Sequence, residues 1–418
     1  MLISAVRRSD LRETSLPFLI GSMFILGLYA PTSFGGEFSS PLWGFYLAFA
    51  AVLLILLLLR KDGLTSYPLA GGSILMMAAL FAATLLSPFP DYRWGGLLPY
   101  IPLSILFVVN IRDLSAGKRF PIILLIANLI NVFLGIAAIL QNERIGDFLV
   151  DHYSSAYSEL VPFMMSAGKP VLTFGTHSVA ALFYYMLFLM NFEAYKLYRN
   201  WSSLAFASSY VVLGFALRSV SGLLLMFFAT LQLLRYGFRM RPKLTALSLF
   251  TVIVGAVSTL YYFVPDFEEW IAGSKLVWDI LTSPVNGFMG RFTEIGTLYS
   301  TVHYIQFHPL SPVGVGFRSD LMFGDSGPVE YFLRGSVVLL AAVYVGLFFF
   351  LRKNLVSRAH SRLLFLVILA FETGYSSLIH FRALFLLPVL VIYLNDLSRE
   401  TLDSRSFGSS NPVLLWGS

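Results

Sequence analysis

The chain has 418 residues, of which 57% are hydrophobic, 16% aromatic and only 12% charged. A soluble domain carries about 25% charged residues, so half that value, with a mean hydropathy of +0.75, argues against a water-facing exterior. The absence of cysteine excludes disulfides, a thiol nucleophile and thiolate metal sites.

Apolar stretches separated by polar connections predict an all-α, polytopic membrane helix bundle, one integral-membrane domain over 1–418. Twelve spans are expected, near 16–35, 42–59, 66–87, 97–111, 120–140, 171–194, 203–217, 219–234, 244–264, 330–351, 363–380 and 383–395. The first follows the basic residues Arg7, Arg8 and Arg12, as a signal peptide would. Pro31 directly after Leu28-Tyr29-Ala30 argues against cleavage there, so it is read as an uncleaved helix. Most of the 29 basic residues fall in alternate connections, among them Arg60, Lys61, Arg112, Lys118, Arg119, Lys196, Arg199, Arg235, Arg239, Arg352, Lys353, Arg358 and Arg362. Cytoplasmic flanks are enriched in Lys and Arg, so that side and both termini are expected in the cytoplasm. The net charge of +6 is therefore a topology signal and not a nucleic-acid footprint.

Two outer connections are long, 141–170 and 265–329, and the second is the larger. Loops of that length in a compact architecture are usually functional. Within the second, Phe292, Ile295, Leu298, Tyr299, Val302 and Ile305 recur at helical spacing and predict an amphipathic helix over 289–306. Gly314 and Gly316, after Pro309 and Pro312, predict a tight irregular turn. Trp94, Trp270, Trp278, Tyr299 and Tyr304 fall on the outer side, either as an interfacial belt or as stacking platforms for a ligand.

Charged residues among apolar stretches are the candidates for chemistry. Arg218 interrupts the run between Ser203 and Leu234, whose two ends both carry basic flanks. The chain must turn there within two short helices, which predicts a recessed, open polar turn at Arg218-Ser219, with Ser221 and Gly222 beside it. An arginine at such depth costs several kcal/mol, about +2.5 or more, and is a functional candidate by default. Arg291 opens the loop helix with Glu294 one turn on, and Arg334 follows Glu330 by four residues, a spacing that also suits a plain intrahelical ion pair. Arg382 stands beside His380 at an outer turn, and His177 lies near the outer end of the sixth span. His303 and His308 lack the spacing and the carboxylate companions of a metal site, so no metal and no cofactor is expected. Glu372 is placed mid-way along the eleventh span, either as a proton relay or paired with a polar neighbour. No nucleotide-binding glycine loop is present. Arginine binds phosphate oxygens bidentately and stays charged, so the outer arginines suit a lipid pyrophosphate.

Several segments resemble the superfamily of bacterial O-antigen polymerases and O-antigen ligases. They are Lys169-Pro170 followed by His177-Ser178-Val179-Ala180, the span-breaking Arg218-Ser219, and Arg291 with His308-Pro309-Leu310 and the Gly314-x-Gly316 turn. Asp325-Ser326-Gly327 before Glu330-Tyr331 and Arg334-Gly335 completes the set, and the similarity covers about residues 165–350. The resemblance implies a metal-independent, inverting glycosyltransferase. Its donor and acceptor would be undecaprenyl-pyrophosphate-linked glycans, with membrane lipids, a chain-length regulator and a flippase as further partners. In ligases a histidine stands in the loop shortly before the following span; here residues 325–330 hold none, which favours the polymerase branch. On this reading Arg218 and Arg291 hold the pyrophosphate, and His177, His303 or Asp325 orients or deprotonates the acceptor hydroxyl. Arg334, Arg382, His308, Arg318 and Glu330 are further substrate-binding candidates. The competing expectations are a ligase that caps lipid A core, and a lipid or polyanion transporter coupled through Glu372.

Overall fold

The computed structural model describes residues 2–31, 33–34, 37–38, 41–59, 67–87, 94–140, 142–153, 171–175, 177–217, 219–240, 242–243, 245–246, 299, 314–317 and 326–406. These form twelve α-helices: α1 (Leu2–Tyr29), α2 (Pro41–Leu59), α3 (Tyr67–Leu86), α4 (Tyr100–Val108), α5 (Phe120–Ile139), α6 (Glu143–Tyr153), α7 (His177–Tyr198), α8 (Trp201–Ala216), α9 (Val220–Met240), α10 (Gly327–Asn354), α11 (Arg358–Glu372) and α12 (Phe381–Ser406). Two two-residue strands, Ser33–Phe34 and Glu37–Phe38, pair antiparallel after α1. Four helices have segments long and apolar enough to cross a membrane: Phe120–Ile139, Ser221–Met240, Gly327–Asn354 and Phe381–Leu402.

Helix α5 shows what kind of solvent this surface meets. Ile122, Ile126, Leu129 and Phe133, one helical stripe, are exposed, while Asn128 and Asn131 are buried. That is the reverse of a water-soluble amphipathic helix, and it is the pattern of a helix between lipid and a polar-glued interior. Inside, Asn128 and Asn191 of α7 exchange amide hydrogen bonds of 2.7 and 3.0 Å, and Tyr210 of α8 donates to Asn128 Oδ1 at 2.9 Å. Asn128→Leu is expected to destabilise the protein by about 1–2 kcal/mol, because the Asn191 carbonyl loses its partner. Adding Asn191→Leu should recover part of that loss in thermal unfolding of the detergent-purified protein.

The centre of the bundle is α7 and α12. Every residue from Val179 to Phe192 of α7 is buried, and 89% of the apolar window of α12 is buried. Around them α8 and α9 pack on α7, α1 and α2 on α12, and α3, α4 and α11 on α10. One end of the bundle is basic and is stitched by buried asparagines. Asn354 at the end of α10 accepts from Ile111 N at 2.6 Å and donates to Val109 O, while Asn395 of α12 donates to Asn354 O at 2.7 Å. These side chains satisfy backbone groups that leave the helix at Val109, which is why α4 stops after nine residues. The expected span over 97–111 is thus about 14 Å of helix, preceded by a 3₁₀ turn at Trp94–Leu97.

Other boundaries shift for local reasons. The first helix ends at Tyr29 rather than near 35, since Pro31 has no N–H to continue it. Residues 171–175 form a turn with Gly175 at φ +87°, so α7 begins at His177. Part of the expected outer loop 141–170 is helical: α6 buries Leu149 and Tyr153. Helix α9 runs 21 residues to Met240 and carries Arg235 and Arg239 in its last turns. Helix α11 ends at Glu372, so that residue lies at a helix end and not mid-span, and 373–380 is irregular. Of the expected span over 244–264 and the loop helix over 289–306, only residues 245–246 and 299 lie among the described residues.

Candidate functional site

The end of the bundle opposite the asparagine stitch holds Glu330, Arg334, Glu372 and Arg382, and the break in α10 organises it. Gly335 (φ −144°, ψ 26°) and Ser336 (φ 61°, ψ −166°) are non-helical. Ser336 occupies a region that L-residues rarely adopt, a strain of order 1–3 kcal/mol that clusters at functional sites. A Gly-Ser pair is a usual place for such a break. The break takes the carbonyls of Leu333 and Arg334 away from their helical donors at 337 and 338. Residues 314–317 replace those donors: Val315 N donates to Leu333 O at 2.7 Å and Gly316 N to Arg334 O at 3.1 Å. The Gly-x-Gly turn foreseen at 314–316 is therefore a strap laid on a broken helix. Its glycines are required, because a Cβ on Gly314 (φ +95°) would stand 2.9 Å from the Arg334 carbonyl and one on Gly316 (φ +65°) 2.5 Å from Thr84 Cα.

Arg334 sits at this junction. Its Nε pairs with Glu330 Oε1, one turn earlier, and Nη1 reaches Gly316 O at 3.4 Å. The guanidinium stacks 4.9 Å from the Phe317 ring, and Tyr100 donates to Glu330 Oε1 at 3.3 Å. Gly96 makes room for Phe317, whose Cδ1 would lie 2.6 Å from a Cβ there. Glu330 and Arg334 thus form the intrahelical ion pair that their spacing allowed, but in a largely buried, aromatic-walled setting.

Glu372 is fully buried beside this pair. Its Oε1 accepts from Ser377 Oγ at 2.6 Å and Leu378 N at 2.7 Å, and its Oε2 from Tyr331 at 2.9 Å and Tyr344 at 3.5 Å. Gly327 approaches so closely that a Cβ would fall 1.9 Å from Oε2. The carboxylate ties the start of α10 to the irregular 373–380 segment. That segment leads directly to Arg382, which is 0% exposed. Nη1 of Arg382 donates to Gly27 O at 3.2 Å and Nη2 to Ala30 O at 2.6 Å, with the Tyr153 and Phe381 rings 5.5 and 4.8 Å from Cζ. Gly27 O is the carbonyl that Pro31 cannot serve. A cation at a helix C-terminus is favourable, and α1 supplies that partial negative charge.

His177 opens α7 and is half-buried. Next to it, Ser178 accepts from Ser219 at 3.1 Å, so the start of α7 meets the residue before α9. Ser219 is buried, and its Oγ also accepts from Gly222 N at 3.3 Å, capping α9. The start of α9 is packed on α7, since a Cβ on Gly222 would lie 2.6 Å from Ala181 Cβ, while Arg218 itself lies outside the described residues.

No protein-family model, curated protein or solved structure matches this chain.

Of the candidates, His177, Glu330, Arg334 and Arg382 are therefore at one end of the bundle, Glu330 and Arg334 in contact. Arg218, Arg291, His303, His308, Arg318 and Asp325 lie outside the described residues. Tyr100, Tyr344 and Ser377 were not foreseen, and Tyr331 stood only within the resembling segment, without a role. Gly95-Gly96 before Tyr100 and Gly327 before Tyr331 mark close approach of backbone to side chain.

Proposed function

We propose that this chain is a polytopic glycosyltransferase of the bacterial inner membrane. On this reading it has about twelve spans with both termini cytoplasmic, and it polymerises undecaprenyl-pyrophosphate-linked repeat units at the periplasmic face. The observation that carries the proposal is the gathering of Glu330, Arg334, Glu372, Arg382 and the His177-Ser178/Ser219 contact at the end opposite the basic one. The short segments that resemble the polymerase and ligase superfamily fall at this end wherever they are described.

In the reaction an acceptor hydroxyl attacks the anomeric carbon of the donor. The new C–O bond forms as the bond to pyrophosphate breaks, with inversion, and the hydroxyl proton passes to a base. His177, His303 and Asp325 are the candidates for that base. Negative charge grows on the departing pyrophosphate, and fixed arginines stabilise it best in a site of low dielectric. Arg218 and Arg291 are assigned that role. Arg334, held in place by Glu330 and Phe317, and the remaining candidates Arg382, His308 and Arg318 support binding. No cofactor or metal is assigned.

The test uses protein reconstituted in vesicles with a lipid-linked repeat unit and, separately, lipid A core as acceptor. A ladder of lipid-linked products is expected, whereas capped core would identify a ligase. Arg218→Ala and Arg218→Lys should each lower ladder formation roughly 100-fold, the scale on which one fixed donor to a developing oxyanion acts. Ladders unchanged in both variants would refute the assignment of Arg218. The broken α10 favours one second reading, since transporters bind substrates at discontinuous helices. Uptake of a labelled lipid pyrophosphate into the vesicles, with no new glycosidic bond, is its signature.

A further inference from the structure

A groove of about 640 Å³ runs along the outside of the bundle between α3 and the part of α10 beyond its break. It extends from Val337 to Lys353, about 24 Å at 1.5 Å per residue, and its wall is apolar until its last turn, where Arg352 and Lys353 stand. Small residues open it. Gly346 lets Phe107 of α4 sink against α10, since a Cβ there would meet Phe107 Cδ2 at 2.5 Å. Gly72 on the facing side of α3 has nothing within 4 Å of where its Cβ would be. Val345 and Phe349 are 52% and 49% exposed along the groove. Arg352 is exposed, and no carboxylate among the described residues pairs with it.

We propose that this groove holds an acyl chain of one anionic membrane phospholipid, with the lipid phosphate against the exposed Arg352. Three features carry the proposal. The groove is longer than the roughly 15 Å of hydrocarbon in one leaflet, so a chain and its glycerol backbone fit along it. The cations stand at one end only, at the basic end of the bundle, where a headgroup would lie. A partner helix, about 10–12 Å wide, would over the same length fill roughly three times the groove volume and could only rest on its rim. The cationic end also gives such an apolar helix nothing to meet, whereas a phosphate is matched by a guanidinium fork. The groove lies outside the bundle and begins beyond the break in α10, and its cationic end is at the opposite end of that helix from the polymerase site proposed above.

The experiment is thermal unfolding of the full chain in a nonionic detergent, with phosphatidylglycerol or phosphatidylcholine of the same acyl chains added. Phosphatidylglycerol at about a hundredfold excess over its Kd should raise the midpoint by roughly 3–5 °C, and phosphatidylcholine by much less. A native mass spectrum should show one retained anionic lipid. Arg352→Gln should bring the phosphatidylglycerol shift down to that of phosphatidylcholine. Gly72→Leu, which adds a side chain where the protein leaves open space, should abolish both shifts while the protein stays folded. Equal shifts for the two lipids in the wild type, or an unchanged phosphatidylglycerol shift in both variants, would overturn the proposal. So would a co-purifying membrane protein released by Gly72→Leu, which would assign the groove to a partner helix. Because the readout is lipid-dependent stability, none of these outcomes depends on whether the chain polymerises glycans.

Discussion

Gly316→Ala is expected to cost the protein about 3 kcal/mol or more of stability and to abolish its activity. The added methyl meets backbone and not a movable side chain, at 2.5 Å from Thr84 Cα and 2.7 Å from Thr84 N. It also forces an L-residue into φ +65°, itself worth about 1–2 kcal/mol. If the strap lifts to relieve the clash, the Leu333 and Arg334 carbonyls lose their donors inside the protein, about 1–3 kcal/mol each. Arg334 would also lose the Gly316 carbonyl and the Phe317 ring that hold it. Gly71→Ala is the control. It places the same methyl inside α3, where nothing lies within 4 Å, and helix propensity predicts a gain of up to about 1 kcal/mol. Thermal unfolding in detergent compares the two. Equal midpoints would mean that residues 314–317 are not seated on the broken helix.

The second large effect concerns Arg382. Replacing it with alanine removes a side chain of full burial and strips Gly27 O and Ala30 O of their donors, an expected loss of about 3–5 kcal/mol. Arg382→Gln, which can still donate to one carbonyl, should recover part of it. A buried charge is itself costly, so Arg382→Met should be milder than alanine. Two outcomes separate a structural arginine from one that binds substrate. A structural role predicts variants with lowered midpoints whose residual folded protein keeps its specific activity. A substrate role predicts normal midpoints with lost ladder formation.

The helical, lipid-facing nature of the bundle was legible because apolar runs and basic flanks are properties of composition along the chain. Helix ends were less legible where tertiary groups decide them. The stop of α4 at Val108 has a local signal in Asn110, whose side chain accepts from Arg112 N at 3.1 Å, but its other support is Asn354, far away in sequence, which pairs with Ile111 N and Val109 O. The early end of α1 was available in Pro31, whose missing N–H leaves the Gly27 carbonyl open. Its consequence, that Arg382 answers it, needed the contact between α1 and α12. At the candidate site, the Glu330–Arg334 spacing and the Gly314-x-Gly316 turn were both readable. Their union was not, because a strap on a broken helix is a long-range pairing with no local period. Glu372 was misplaced because the span was carried on to 380 through the polar stretch Thr373-Gly374-Tyr375-Ser376-Ser377, where Gly374 already marks a helix end.

The Arg382 bonds to Gly27 and Ala30 also bear on how the chain is made. The first helix emerges from the ribosome with the Gly27 carbonyl unanswered, and the group that answers it is translated about 350 residues later. A Cβ on Gly27 would strike Leu386 at 2.7 Å, so the two helices also need each other's shape. Until α12 arrives, that end of α1 stays unfinished. Assembly of the core is then closed by a late-made segment clasping an early one, and nascent chains arrested before residue 382 should keep their first helix accessible to membrane proteases.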